Sequence, residues 1–392
     1  MRPSELFKWG GPPGLPSSRV AFLALATLPV ACWAQQAMTC QRGQCVQVLA
    51  GHAAIGRQLR INAHGPVTLE AGAGTELKYT ARVVVQAANE AEARRLVERY
   101  PVRVTREGDW SVFTAPGAPL AATLVLRAPK LTAVSIVDSN GPVEANGIDG
   151  SLLVDSVTGP LTADRIRGDC QLRTRGGDIH AGSIGGTLSS TTACGSITVR
   201  SVRGEAVLQT MGGDIDAQEA WGPLRAETGA GTIRIARAAG AVDATSGGGL
   251  IWVGNASGLV TAHNMAGMID VESAAGAHCE SGSGGIKLGR ISGSMRVSTA
   301  MGSIVASVLR AAPDSYLTTN DGDITVVIPS NLGVTIQAEN AMADSLRRIL
   351  SEFPQIQSRR LGTRVVALGR VNGGGPVLRI SSLDGTIFIK RQ

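Results

Sequence analysis

The sequence predicts an all-β fold, a parallel β-solenoid (β-helix) with 18-residue rungs and two strands per rung, and short capping helices near each end. Three observations predict it. Written from Thr132 in blocks of eighteen, the chain repeats as TAVSIVDSNGPVEANGID, GSLLVDSVTGPLTADRIR, GDCQLRTRGGDIHAGSIG, GTLSSTTACGSITVRSVR and onward. Glycine recurs at position 10 of each block, with Gly177, Gly195 and Gly213 in the middle of the run. Two residues later stands an apolar column that includes Ile179, Ile197, Ile215, Ile233, Ile251 and Ile269.

Each strand of a rung follows from a period of two. Positions 3 and 5 are apolar, as in Leu152/Val154 and Val242/Ala244, and so are positions 12 and 14. Alternate side chains of a strand face opposite ways, so each strand has one inner face. One rung cannot bury that face alone, but stacked copies can. Glycine at a fixed corner supplies the backbone freedom of a tight turn. Position 7 is mostly Ser or Thr, including Thr192, Thr210 and Thr228. With 43% hydrophobic residues but only 3% aromatics, the core must be aliphatic.

Two named solenoids fail against this pattern. A hexapeptide helix needs an aliphatic residue at position 11, where Asp178, Ser196, Asp214 and Thr232 stand. A calcium β-roll needs an aspartate in every turn, and the corresponding positions read Asp155, Asp164, Arg173, Gly182 and Thr191. Handedness stays open.

The chain divides into four parts. Residues 1–34 read as a signal peptide: Arg2, Lys8 and Arg19 precede the apolar run VAFLALATLPVACWA, with cleavage expected after Ala34. A lipoprotein signal with Cys32 as the lipidated residue is the alternative. Either way the chain is expected to be exported to the periplasm, the outer envelope or the medium, without a transmembrane span once the signal is removed. Residues 35–131 hold N-terminal strands, including LRINAHGPVTLE, and a capping helix at 89–100 opened by Asn89. Residues 132–310 are the regular rungs. Residues 311–392 add C-terminal rungs around an amphipathic helix at about 341–353, with Leu346 and Ile349 inward.

Several of these segments carry a family resemblance. GPVTLE, the helix before YPVRVTREG, the LRAPKLTAVSIVDSNGPVEA transition, the GGDI repeats, and the endings DGDITVVIP and SLDGTIFIK together resemble the bacterial putative-adhesin domain family. The resemblance covers nearly the whole mature chain and implies an exported or envelope-facing β-solenoid. Its motifs are structural and carry no catalytic residue across.

Cys40 and Cys45 lie five apart and suit a small disulfide loop in an oxidising compartment. Cys170 and Cys279 fall in inward columns six rungs apart, roughly 29 Å by strand spacing, too far to pair. With Cys194 at a corner, all three are expected to be free thiols. Asp178 and Asp214 share position 11 two rungs apart, and Asp216 and His180 share position 13. These acids are the candidates for a catalytic carboxylate pair. The competing reading makes them water-facing residues beside turns, and the absence of long loops in these rungs favours it. None of the five histidines stands at zinc spacing, so no metal site and no cofactor are expected.

Arg165, Arg167, Arg173 and Arg175 gather on two rungs and could meet an anionic glycan or lipid, or simply water. Trp252 faces outward at position 13, where it could stack on a sugar. Without residues 1–34 the net charge falls from +6 to a mild +4, which with scattered arginines implies no nucleic-acid partner. The function these observations imply is non-catalytic: an adhesin-like or envelope-structural solenoid that binds glycans or envelope proteins through outward polar columns. The alternatives are a polysaccharide-active lyase or hydrolase using the Asp cluster, and a self-assembling scaffold.

Overall fold

The computed structural model describes residues 31–32, 37–72, 74–138, 140–342 and 349–392. The expected signal segment lies outside these residues except for Ala31–Cys32, a short strand antiparallel to Gly51 and His52. From Ala133 to Ile328 the chain climbs through about eleven parallel turns. Leu161 lies opposite Ile179, Ile179 opposite Ile197, and Ile197 opposite Ile215, each eighteen residues on. The other strand of each rung keeps the same register, Leu188 opposite Ala206 and Ala206 opposite Leu224.

The core is a stack of aliphatic columns. Ile179, Ile197, Ile215, Ile233, Ile251 and Ile269 are all at most 1% exposed. Facing them are the columns of Leu188, Ala206 and Leu224, and of Ile184, Val202 and Ala220. Large and small side chains are mixed in the core: the rung that carries Ile233 and Ile235 also buries Ala226 and Ala238. Such mixing keeps the interior filled without crowding.

The corner at position 10 corrects one sequence expectation. Glycine there is not chiefly an answer to turn conformation, because Gly177, Gly195, Gly213, Gly231 and Gly249 all lie outside the left-handed region. Stacking is the reason. A Cβ on Gly195 would sit on the Gly177 carbonyl, and one on Gly213 would sit on the Gly195 carbonyl, far inside contact distance. At the margins of the array conformation also matters, since Gly159 has φ +101.

Beside this glycine column runs a ladder of buried hydroxyls. Thr192 donates to the Gly177 carbonyl at 2.9 Å and accepts from the Gly195 N–H at 3.2 Å. Thr210 bridges the Gly195 carbonyl (2.8 Å) and the Gly213 N–H (3.2 Å), and Thr228 bridges the Gly213 carbonyl and the Gly231 N–H. Ser246, Asn264 and Ser281 continue the chain of bonds. Each hydroxyl thus serves as donor to one rung and acceptor within its own, which satisfies backbone groups buried at the corner.

Regularity loosens toward the C-terminal end. One rung is a residue short, so pairing shifts between Ala256 and Leu259 and leaves Leu259 opposite Gly276. A longer rung then places Arg296 opposite Tyr316.

Both ends are threaded out of chain order. Strand Gln58–Ala63 lies between Trp110–Thr114 and Ala133–Asp138, and Val67–Ala71 lies between Ala121–Ala128 and Val143–Asn146. The rung built from 58–71 is therefore second in space though first in sequence. At the other end Val377–Asp384 lies between Ser315–Asp321 and Val334–Asn340, so the final chain segment is the penultimate rung. Antiparallel strands close each end: Gln44–Ala53 with Leu77–Gln86 at one, and Gln357–Leu361 with Arg364–Val371 at the other.

One capping helix is present among the described residues, Glu90–Arg99. Asn89 accepts from the Glu92 N–H at 2.9 Å while Glu92 accepts from the Ala88 N–H, a reciprocal cap. Ala93 and Val97 are its buried face. The bounds of the second helix, expected at about 341–353, are corrected at both flanks. Ala341 and Met342 form a turn, residues 343–348 with Leu346 lie outside the described residues, and Ile349–Ser351 is a strand beside Ile387–Ile389. Ile349 is buried as its hydrophobic spacing implied, but pairing with the neighbouring rung overrides local helix propensity.

Two substitutions separate sterics from hydrogen bonding at the corner. Thr210→Val keeps the shape but strands the Gly195 carbonyl and the Gly213 N–H, and should cost about 1–3 kcal/mol. Gly213→Ala forces rungs apart and should cost at least as much, about 1–3 kcal/mol or more. Denaturant unfolding followed by circular dichroism checks both; wild-type stability in either variant would refute this account of the corner.

Candidate functional site

The acids singled out by the sequence belong to the sheet formed by positions 12 to 17: Asp178 and Asp214 stand just before its strands, and Asp216 faces outward within one of them. At the entry to each of these strands the position-12 N–H bonds the position-11 carbonyl of the next rung, as Ile179 does to Ser196 and Ile197 to Asp214. The position-11 N–H has no such ladder partner, and aspartate supplies one. Asp178 Oδ1 accepts from the Ser196 N–H at 2.8 Å, and Asp214 Oδ1 accepts from the Thr232 N–H at 2.7 Å. Asp323 does the same for the Thr386 N–H across the out-of-order junction. Earlier rungs carry Pro142 and Pro160 at this position and present no N–H at all.

Aspartate therefore works here as a staple between rungs. The other strand entry uses the same device: Asp169 Oδ1 accepts from both the N–H and the hydroxyl of Thr187, at 2.8 and 2.7 Å. The periodic aspartate just after a glycine corner is visible in the sequence, but its partner eighteen residues away is fixed only by the stacking of the rungs.

Asp216 and His180 do share an outward column. The register runs His180, Thr198, Asp216, Arg234, Trp252, Asp270 and Lys287. One threonine thus separates His180 from Asp216. Trp252 is engaged within the face: the Arg234 guanidinium lies 5.6 Å from its ring centroid, and its indole N–H donates to Glu272 at 3.2 Å. Asp270 and Lys287 pair at 3.0 Å. Of the grouped arginines, Arg165 bonds Asn146 at 2.8 Å and Arg167 pairs with Asp149 at 3.0 Å, both reaching back one rung. Arg173 and Arg175 remain on the exposed surface.

The sheet of positions 2 to 7 carries two shallow depressions at its outer corner. Thr245, His263, Met265, Glu280 and Ser298 line one, and Arg175, Thr191, Gln209, Met211 and Glu227 line the other. Met211 and Met265 are 74% and 75% exposed, so flexible apolar side chains stand among polar ones. Both depressions are open to solvent. Such shapes suit contact with an extended surface and leave developing charge screened by water. Among the described residues no three His, Cys, Asp or Glu side chains come together as a metal-ligand set, and no helix is long and apolar enough to cross a membrane.

Cysteine placement is resolved within the described residues. Cys40 and Cys45 form a disulfide across an antiparallel turn. Cys170 and Cys279 are buried free thiols whose pKa burial pushes up to about 12, and Cys194 is free and exposed. Protein that begins at Gln35, with its disulfide intact, should titrate one thiol with Ellman's reagent when native and three once unfolded. More than one fast-reacting thiol in the native state would contradict this placement.

The staples also set an acid limit. Burial raises the Asp164 carboxyl, but the Ser183 N–H and the Arg200 guanidinium outweigh it and hold its pKa below the ordinary 3.8. The Thr187 N–H and hydroxyl lower that of Asp169. A carboxylate depressed in the folded state stabilises the fold above its unfolded pKa, and that contribution is lost as pH falls through the folded value. Melting temperature should therefore fall as pH drops below about 4. In Asp169→Ala the fall should be shallower; an unchanged acid limb would remove Asp169 from the set.

No family model matches the chain, and no curated protein does. Among solved structures it is similar to a "putative cell adhesion protein" from Clostridium sporogenes, at 10% identity over 88% of this chain and 99% of that one, with a TM-score of 0.18. That superposition is too loose to place the chain in a family.

Proposed function

We propose that the protein is an exported, non-catalytic solenoid that binds through its outward polar columns, in an adhesin-like or envelope-structural role. The observation that carries this reading is the employment of Asp178 and Asp214. Each carboxylate is committed to the backbone N–H of the next rung, so the acids that suggested a hydrolytic pair have a structural task. A general acid or base needs a partner on substrate, within a site that excludes water. Here Asp178 and Asp214 are exposed to solvent, and neither lines the depressions of the other sheet.

Two further features support the reading. The Cys40–Cys45 loop suits an oxidising compartment, in line with the apolar leader that precedes it. The outward columns mix hydroxyls, amides, charges and exposed methionines along many equivalent rungs, which favours repeated weak contacts with a long ligand.

A glycan array and a cell-surface binding assay on the purified protein test this. Retention on a surface glycan or envelope protein, equal in wild type and Asp214→Asn, is expected. Glycan turnover that Asp214→Asn abolishes in a folded protein would replace the reading with an enzyme. Silence in both assays together with filament formation would replace it with a self-assembling scaffold.

A further inference from the structure

Basic side chains are dense in the last forty residues of the chain. Residues 353–392 contain seven basic residues and a single acid, Asp384, whereas residues 132–352 carry fifteen basic and twenty-two acidic side chains and residues 35–131 carry twelve and seven. In space this segment forms the penultimate rung and the hairpin Gln357–Leu361/Arg364–Val371 that closes the solenoid.

Register places much of that charge on one flat face. Arg379 lies opposite Gln337, Gln337 opposite Leu368, and Leu368 opposite Gln357, so these side chains share the outer surface of the sheet. Arg364 and Arg370 flank Leu368 at alternate positions on the same strand, and Arg359 is carried there by pairing with Val366. The inner face of that strand is buried through Val365, Ala367 and Val371. Arg364 pairs with Glu339 at 3.3 Å, whereas Arg359, Arg370 and Arg379 hold no ion pair among the described residues. The face also exposes apolar side chains: Leu361 at the hairpin turn is 51% exposed and Leu368 is 58% exposed. Tyr316, opposite Arg379, continues it toward the body of the rod.

We propose that this C-terminal face docks the solenoid on anionic phospholipid bilayers. Unpaired arginines on a plane match a plane of phosphate headgroups. The exposed leucines favour lipid over a hydrated polysaccharide, because they can enter the headgroup boundary while the arginines stay at the phosphates. Tyrosine suits the same interface. The middle rungs keep their columns free for another ligand, so docking would orient the rod without occupying them.

Cosedimentation tests this with vesicles of phosphatidylcholine alone and of phosphatidylcholine with phosphatidylglycerol at about one part in three, in low salt and in about 0.5 M salt. Binding is expected only to the anionic vesicles and only in low salt. The variant R359Q/R370Q/R379Q should bind on the order of a hundredfold more weakly, since each arginine near an anionic surface is worth about fivefold. The variant R203Q/R237Q/R290Q removes the same charge from exposed arginines of the middle rungs and should bind as wild type. Leu361→Ser with Leu368→Ser should weaken vesicle binding while leaving retention on a heparin column unchanged, and melting curves establish that each variant is folded. Equal loss in both arginine variants, no preference for anionic vesicles, or heparin retention without vesicle binding would overturn the proposal. Glycan-array binding by the middle rungs stands or falls separately.

Discussion

The whole architecture depends on how closely two successive rungs can approach at the corner after position 7. Glycine carbonyls there stack almost directly over the next glycine Cα, leaving no volume for a side chain. The same closeness buries backbone polar groups that no strand partner can reach. Hydroxyls of Thr192, Thr210 and Thr228 meet that need by bonding one rung below and their own rung at once. Steric and polar requirements are thus two sides of one contact, which is why glycine and Ser/Thr recur together.

A repeated contact of this kind also explains the acids. Stacking strands in parallel register leaves an N–H at each strand entry without a ladder partner. Asp178, Asp214 and Asp169 supply an acceptor from the preceding rung, while Pro142 and Pro160 remove the donor instead. Aspartate beside glycine therefore marks a structural joint. Carboxylates held in this way by the backbone are poorly placed for chemistry on a ligand.

Solenoids must end somewhere, and an open rung exposes unpaired backbone that invites further strands. Here each end is closed by a rung taken out of chain order and by antiparallel strands outside it. At the C-terminal end the closing hairpin is strongly basic, so like charges oppose edge-to-edge growth as well as presenting a face to an anionic surface. The regular rungs, residues 132–310, are by contrast slightly acidic, with thirteen basic and sixteen acidic side chains.

Period, inward columns, corner glycines and position-7 hydroxyls were all legible from the chain, because each rung contacts its neighbours at a constant offset and selection acts on every copy alike. The Cys40–Cys45 loop was legible too, since both partners are local. Reading position 10 as a turn requirement was incomplete, because the atom that excludes a side chain at Gly195 belongs to Gly177, one rung away. The role of Asp178 was hidden for the same reason. Order at the ends was decided only in three dimensions: Gln58–Ala63 and Val377–Asp384 look like ordinary strands, and nothing local says which rungs they separate. Ile349 shows the limit most directly. Its spacing with Leu346 reads as a helix, yet the ladder offered by Ile387–Ile389 holds it extended, since a paired neighbour outweighs a short segment's own preference.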